Sequence, residues 1–379
     1  MNNMKSNQFT VDDTTKCKGI AIMLMLFHHM FRLPKSYAVA NYTLNFFPFS
    51  EYTFLNMGQF SKVCVGIFAF LSAYGLTLSY SKWKYSNSRF VIYRYFKMMI
   101  DFFVVFIFIM MIITTCIVKG NFDSLSVYGK DKPFSFAWQM LIDMLGLSKL
   151  FGTGLYDGTW WYMSLAILII VIVPLLFKFC DKAGSIIALS LSLCLPIALG
   201  VKTELLVRWL FCITLGIVFA KKELFTKIKE KFSSFSFIIK TSIFIFGCEL
   251  MFVLYQLRKS NIQNDFIAVW DAIIPLAIIL LAFLYINRIP VISHILNFLG
   301  KYSMLMFLTH TFLRVRWYKP FAYPTEYAII DYVFFLIASL ILAIIIDYFL
   351  KICRFYKLKD RILLAILTVK KPKQAVEEN

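Results

Sequence analysis

Two groups on the first apolar segment have the type and the spacing for chemistry inside a membrane. Lys18 and His29 are eleven residues apart within the stretch 15–32. Eleven residues make nearly three helical turns, so both side chains face the same side, about 16 Å apart along the axis. Ionisable side chains inside a membrane are costly and are usually functional. Because free imidazole has a pKa of about 6.5, His29 suits a general base or a transient acyl carrier.

Two further ionisable side chains lie in later apolar runs. His310 lies near the end of one of them, where it could orient an acceptor molecule or pair with an acid. Glu249 lies deep in another run without a charged neighbour in sequence, so it is the acid that we expect to orient a histidine. His28 points about 100° away from His29, and we expect it to form a hydrogen-bonded helix contact instead.

The composition indicates a polytopic membrane protein. Of 379 residues, 60% are hydrophobic and 16% are charged, whereas a soluble domain has about 25% charged residues. We predict an all-α transmembrane bundle of about ten spans, with Trp160 and Trp161 in an interfacial aromatic belt or on a sugar platform, the belt being favoured. The predicted spans are about 16–34, 58–80, 96–118, 160–179, 185–201, 205–220, 236–257, 267–286, 294–315 and 328–350.

The distribution of basic residues places both termini in the cytoplasm. The stretches 82–97 and 221–231 and the C-terminal tail are rich in Lys and Arg, and ten spans put all three on one side. The formal charge of +19 is therefore assigned to membrane orientation and lipid headgroups rather than to nucleic acid. A basic cluster on the opposite side, at Arg314, Arg316 and Lys319, counts against this topology. The stretch 134–151 is apolar but interrupted, and we predict an interfacial or re-entrant helix there.

The chain is expected to have one membrane domain. We predict a cytoplasmic N-terminal segment at 1–14, the membrane domain at 15–352 and a basic cytoplasmic tail at 353–379. The eight cysteines include no CxxC pair, so neither a disulfide framework nor a metal site is indicated.

Five sequence segments carry a resemblance to a known family. They are DDTTKCKGIAIMLMLFHHM, which contains Lys18, ten residues and His29; VGIFAFLSAYGL; YRYFKMM; GTWWYMSLAILIIVIVP; and LGKYSMLMFLTH. In this order they resemble motifs of the membrane-bound acyltransferase-3 family over residues 12 to about 350. Ala73 stands where the family pattern prefers glycine, Lys97 stands in the second place of an Arg-x-x-Arg motif, and Phe307 replaces a tyrosine.

The resemblance implies O-acylation, usually O-acetylation, at a bacterial cell membrane. The donor would be cytoplasmic acyl-CoA, with acetyl-CoA the commonest form, and the acceptor a cell-surface polysaccharide or a lipid-linked sugar. Lys18, Arg94 and Lys97 would bind acyl-CoA, and His29, Glu249 and His310 would form the catalytic set. Arg94 and Lys97 suit the phosphates of acyl-CoA, and Arg94 also offers a bidentate fork. Cations that flank a helix can equally be mere orientation signals.

A transporter or flippase for a polysaccharide or lipid-linked sugar is the alternative function, because it also needs polar groups at mid-membrane. A transporter would not need Lys18, Arg94 and His29 together with acyl-CoA, and it would contain paired broken helices. No internal repeat is visible in the sequence. A structural or assembly role would leave the alignment of Lys18 with His29 unexplained. Within the acyltransferase hypothesis, direct transfer and an acyl-histidine intermediate both stay open.

Overall fold

The chain folds into a helical bundle. A computed structural model describes residues 8–38, 43–108, 127–128, 133–200, 206–259, 266–317 and 319–368, and no β-strand occurs in these ranges. The helices are α1 (Val11–Phe31), α2 (Glu51–Phe60), α3 (Val63–Tyr80), α4 (Asn87–Ile107), α5 (Pro133–Met144), α6 (Ser148–Phe151), α7 (Trp161–Ala183), α8 (Ser185–Ala198), α9 (Leu206–Lys221), α10 (Leu224–Ser233), α11 (Phe237–Lys259), α12 (Ile267–Tyr285), α13 (Pro290–Thr311), α14 (Ala328–Ile352) and α15 (Phe355–Thr368).

Six helical segments in the described ranges are long and apolar enough to cross a membrane. They are Glu51–Tyr80, Gly158–Ala183, Phe237–Leu257, Ile267–Arg288, Pro290–Arg314 and Ala328–Ile352. This confirms the predicted all-α membrane bundle. The other four predicted spans coincide with α1, α4, α8 and α9, but α8 has only 14 residues, fewer than the about 20 that cross a bilayer. The count of ten spans and the cytoplasmic termini therefore stay predictions. The second half of the predicted span 96–118 lies outside the described residues.

The first helix is fixed at its start by a network of polar contacts. Thr10 caps α1: its hydroxyl accepts a hydrogen bond from the Asp13 amide at 3.1 Å, and the Asp13 carboxylate accepts from the Thr10 amide at 2.9 Å. Such a reciprocal cap satisfies amide donors that a helix start leaves unpaired. Asn287 donates to Asp13 at 2.8 Å, and Phe9 stacks on Phe225 of α10 with ring centroids 4.2 Å apart. The start of α1 and the basic helix α10 therefore lie at the same end of the bundle, called the inner end below; α1 finishes at the outer end.

Two glycines let α1 and α13 cross with their backbones in contact. A Cβ at Gly19 would lie 2.8 Å from the carbonyl carbon of Leu296, and a Cβ at Gly300 would lie 2.7 Å from that of Thr15. No larger residue fits at either position without moving a helix, since carbon atoms in contact are about 3.5–4.0 Å apart. His29 lies ten residues after Gly19 in α1, and His310 lies ten residues after Gly300 in α13. Both helices run from the crossing toward the outer end. The crossing therefore brings the two histidines to the same depth.

The predicted interfacial segment 134–151 forms two short helices, α5 and α6, near the outer end. The chain breaks between them at Gly146, whose φ of 72° is left-handed. Just before this break, the buried Asp143 carboxylate accepts hydrogen bonds from the Tyr128 hydroxyl (2.6 Å), the Tyr156 amide (2.7 Å) and the Ser148 hydroxyl (3.1 Å). Burial raises the pKa of the Asp143 carboxyl, although these three hydrogen bonds act in the opposite direction. The described part of this segment is thus held to the bundle by a buried acid.

The C-terminal helix α15 packs along the inner half of α4. Lys359 of α15 binds both carboxylate oxygens of Asp101, at 2.6 and 2.7 Å, and Arg89 donates to the Leu367 carbonyl oxygen at 3.4 Å. The cation that pairs with Asp101 therefore comes from α15, which covers that face of α4.

Candidate active site

His29 and His310 form a pair of adjacent imidazole rings at the outer half of the α1–α13 interface. Their ring centroids are 5.1 Å apart and their planes are tilted by 37°. His310 is fully buried, and His29 is partly accessible from a cavity that it lines. Two of the three residues predicted as catalytic are therefore brought together.

The backbone of α13 fixes the tautomer of His310. Its Nδ1 lies 2.9 Å from the Phe307 carbonyl oxygen and 3.1 Å from that of Met306. A carbonyl only accepts, so Nδ1 carries the proton and Nε2 carries the lone pair. The Thr311 hydroxyl lies 3.3 Å from Nε2 and can donate to it. His310 is thus a fixed ring against which His29 is positioned.

An outer cavity of about 440 Å³ opens beside this histidine pair. Its charged lining residues are three cations and one carboxylate: Arg32, Lys62, Arg314 and Asp157. His28 and His29 line it too. This volume and this polarity suit a sugar-sized molecule with hydroxyl groups.

An inner cavity of about 280 Å³ lies nearer the inner end of the bundle. Lys18 and Asp101 line it, together with Ser72 and Ser303. Three side chains line both cavities and therefore lie between them: Met25, Tyr162 and Phe307. Lys18 and His29, on one face of α1 as predicted, thus open into two cavities that adjoin at this partition.

The start of α7 anchors the outer cavity to α13. The indole of Trp160 donates to the Leu308 carbonyl oxygen at 3.2 Å, and the Thr159 hydroxyl lies 3.4 Å from that of Thr311. Trp160 is 1% exposed and packs edge-on against Phe102, so its assignment to an aromatic belt is wrong. Trp161 instead lines the outer cavity.

Arg94 and Lys97 lie on the inner half of α4 and line neither cavity. The Arg94 guanidinium lies 5.5 Å from the ring centre of Phe90, and its Nε is buried without a hydrogen-bond partner among the described residues. Lys97 lies one turn before Asp101, which does line the inner cavity. These cations therefore flank the inner cavity rather than enter it.

Comparison with known proteins settles the family. The family model for the acyltransferase domain of this type matches residues 17–348, a range that contains every predicted site residue and both cavities. The chain belongs to the acyltransferase-3 family. No curated protein and no solved structure matches it. The protein is thus a membrane acyltransferase.

Glu249 is not part of the site of this acyltransferase. It lies exposed on α11, and only 6% of the apolar stretch of that helix is buried. The sequence showed correctly that Glu249 lies within an apolar helix, but it did not show which face the rest of the bundle covers. We therefore remove Glu249 from the catalytic set.

His28 behaves as predicted in one respect and differs in another. Its Nδ1 donates to the Gly58 carbonyl oxygen at 2.7 Å, which is the expected helix contact between α1 and α2. The ring nevertheless lines the outer cavity, 5.1 Å from the His29 ring. It belongs to the wall of the site of the acyltransferase.

Sequence reasoning missed most of the charged lining of the outer cavity. Arg32 follows His29 by three residues, and this helical spacing was a usable signal. The sequence indicated Arg314 only as one of the basic residues on the side opposite to the predicted cytoplasmic side. Lys62 and Asp157 lie at the starts of other elements, and nothing in the local sequence connects them with His29.

Proposed function

We propose that this acyltransferase moves an acyl group, acetyl in the simplest case, from cytoplasmic acyl-CoA to a hydroxyl of an extracytoplasmic or lipid-linked glycan. The observation that carries the proposal is the pair of adjoining cavities, with Lys18 facing the inner one and His29 the outer one. One substrate can approach from each end, and the two can meet at the partition. We place the inner end in the cytoplasm of a bacterial cell, as the basic residues of α10 and α15 favour.

The inner end has the chemistry to hold an acyl-CoA. Arg94 and Lys97 would pair with phosphate groups, and the unsatisfied Nε of Arg94 is a donor that a phosphate oxygen would complete. Lys18 would contact the donor deeper in the inner cavity. In this arrangement the phosphates stay in the water-exposed region while the thioester end enters the bundle.

The reaction requires a base at the partition, and His29 is placed to supply it. His29 would accept the proton of the acceptor hydroxyl as the oxygen attacks the thioester carbonyl carbon. The carbon–sulfur bond then breaks, and the leaving thiolate takes the proton from His29. The same ring could instead carry the acyl group first and pass it to the hydroxyl in a second step. His310 would act as a positioning residue, because its Nδ1–H is engaged by the backbone.

The test compares His29→Ala with His294→Ala. His294 is an exposed histidine at the start of α13, outside both cavities, so it controls for the loss of an imidazole. Membranes that contain each variant at equal protein level are given radiolabelled acetyl-CoA, and label in the envelope glycan is counted. We expect His29→Ala to lose about 10²–10⁴-fold of the rate and His294→Ala to keep it. Equal activity of both variants would show that His29 is not the base.

A further inference from the structure

The outer cavity carries an excess of positive charge that the topology does not explain. Arg32, Lys62 and Arg314 line it against a single carboxylate, Asp157. Cations near membrane helices are normally concentrated on the cytoplasmic side, and these three lie at the opposite end from the basic helices α10 and α15. Basic residues that only set the orientation of the protein in the membrane would lie at the inner end instead. The charges therefore require a role in the cavity itself.

The guanidinium group of Arg314 has a hydrogen-bond donor that no described residue uses. Its Nε is buried and has no hydrogen-bond partner among the described residues. Tyr323 and Asp157 stabilise the charge of this group, whereas the Arg32 guanidinium lies close enough to repel it. Asp157 is partly engaged within its own turn, because its Oδ1 accepts from the Thr159 amide at 2.8 Å and from the Thr159 hydroxyl at 2.7 Å. An anion in the cavity would both complete the Arg314 donor and relieve the repulsion.

The phosphates of the donor are not that anion under the proposed function. Arg94 and Lys97 serve them at the inner end, and Met25, Tyr162 and Phe307 lie between the inner cavity and the outer one. On the basis of the proposed function we infer that the acceptor bears an anionic group, a carboxylate or a phosphate. Arg32, Lys62 and Arg314 bind this group while the neighbouring hydroxyl approaches His29.

Chemical treatment of the acceptor tests the inference without knowing its identity. Envelope glycan from cells that lack the protein is used in three forms: untreated, carboxyl-reduced and dephosphorylated with hydrofluoric acid. Each is incubated with the protein in membranes and radiolabelled acetyl-CoA. Loss of labelling after reduction identifies a carboxylate, and loss after dephosphorylation identifies a phosphate. Equal labelling of all three forms overturns the inference, whereas no labelling of the untreated glycan would instead count against the proposed function.

A second readout uses the residues themselves. Arg32→Gln removes one cavity cation, and Lys149→Gln removes an exposed cation from α6, outside the cavity. A charge-assisted hydrogen bond corresponds to roughly a tenfold to hundredfold change in binding. We expect Arg32→Gln to raise the acceptor KM by that factor, with a much smaller change in the KM for acetyl-CoA. Equal acceptor KM values for the two variants would refute the anion site.

The lipid-facing side of α11 carries an independent signal. Six exposed residues follow one another at intervals of four and three: Ile238, Ser242, Ile245, Glu249, Phe252 and Gln256. This is the seven-residue repeat with which one helix packs along another. The opposite face of α11 is the one joined to the bundle, through buried Leu254, which packs with Val63 and Ile274. The repeat therefore lies on the side that the described part of the chain leaves uncovered.

Polar and apolar residues alternate along this seam. Ser242, Glu249 and Gln256 are seven residues apart, and the residues between them on the seam are apolar, with Ile245 53% and Phe252 62% exposed. Lipid offers none of these polar groups a hydrogen-bond partner, and a charged carboxylate in lipid is strongly disfavoured. Three such groups on one seam favour a partner helix that satisfies all of them.

The geometry points to a second copy of this chain as the partner. Two copies share the same membrane orientation, so a twofold axis along the membrane normal places their α11 helices parallel and sets each seam residue against itself. Serine, glutamine and a neutral carboxylic acid each donate and accept, so each can pair with its own counterpart. Ile238, Ile245 and Phe252 fill the intervening layers. A partner with a fixed cation would match only one of the three polar positions.

Disulfide cross-linking tests the seam in a Cys248→Ala background. Ile245→Cys and Phe252→Cys lie on the seam, whereas Phe246→Cys and Val253→Cys are equally lipid-exposed but lie about 100° away around the helix. We expect only the seam pair to cross-link two copies under oxidation in native membranes. Cross-linking at both pairs alike, or at neither, would refute the interface.

The role of Glu249 is tested by the mass of the purified protein in lipid nanodiscs or by native mass spectrometry. Glu249→Gln keeps a donor and an acceptor and should leave the dimer intact. Glu249→Leu removes both and should weaken the dimer about tenfold, the size of one hydrogen bond between membrane helices. A monomeric wild type, or a dimer that Glu249→Leu leaves unchanged, contradicts the polar seam.

Discussion

Replacing Gly300 by alanine tests whether the α1–α13 crossing sets the position of the two histidines. A Cβ at Gly300 would lie 2.7 Å from the carbonyl carbon of Thr15, whereas carbon atoms in contact are about 3.5–4.0 Å apart. The two helices would have to separate by about 1 Å to accept the methyl group. The change touches no catalytic side chain, since His310 lies ten residues further along α13, about 15 Å away.

We expect this variant to be both slower and less stable. Overpacking of a close contact typically costs about 1–3 kcal/mol of the free energy of unfolding. A shift of about 1 Å at the reacting groups lowers a rate by up to ~10²-fold. Acetyl transfer by the purified protein in nanodiscs measures the rate, and thermal unfolding in the same nanodiscs measures the stability.

Gly75→Ala is the matched control. Gly75 is exposed on α3, and nothing lies within 4 Å of the position that its Cβ would occupy. Alanine is a better helix former than glycine by about 1 kcal/mol, so this variant should keep the wild-type rate and lose no stability. If Gly300→Ala also keeps the wild-type rate and Tm, the crossing does not position the histidines and the argument is wrong.

Three other predictions concern basic residues of α4, α6, α10 and α15. Arg94→Ala should raise the KM for acetyl-CoA more than Arg94→Lys does, because lysine keeps the charge but loses the bidentate fork; equal KM values would exclude a forked phosphate contact. Lys359→Ala should leave Asp101 without its two direct contacts and lower the free energy of unfolding by about 1–2 kcal/mol. Adding Asp101→Asn to this variant should restore part of the lost stability, and no recovery in the double variant would argue against the ion pair. A cysteine at the exposed position Lys227 in α10 should react only with reagents that enter the cytoplasm, and a cysteine at Lys149 in α6 should react from outside; the reverse pattern would invert the topology.

The sequence predicted the helices and one half of the site for the same physical reason. Apolar runs of the length of a bilayer have few alternatives to helix, because lipid offers their backbone groups no hydrogen bonds. Each of the ten predicted spans accordingly overlaps a helix in the described part of the chain. The alignment of Lys18 with His29 follows from the period of one helix alone. Both predictions depend only on local geometry.

The rest of the site depends on contacts between distant segments. Arg32, Lys62, Asp157 and Arg314 reach the outer cavity from four different parts of the chain. Lys359 reaches Asp101 across 258 residues. Glu249 was wrongly assigned to the site for a related reason. Hydropathy locates a residue along a helix but does not reveal which neighbours cover it. Only the packing of the bundle determines these relations.

The partition between the two cavities connects the fold with the proposed reaction. An open passage through the bundle would let water reach the thioester and let ions cross the membrane, and Met25, Tyr162 and Phe307 stand where the passage would run. His29 lines the cavity on the outer side of these side chains and Lys18 lines the one on the inner side, so under the proposed function the acyl group must pass between them. An unbranched methionine side chain can change rotamer with little cost, whereas the ring of Phe307 packs edge-on against Tyr162 with centroids 5.8 Å apart. Of the three side chains in the partition, Met25 is therefore the one that can move with the least cost under the proposed function.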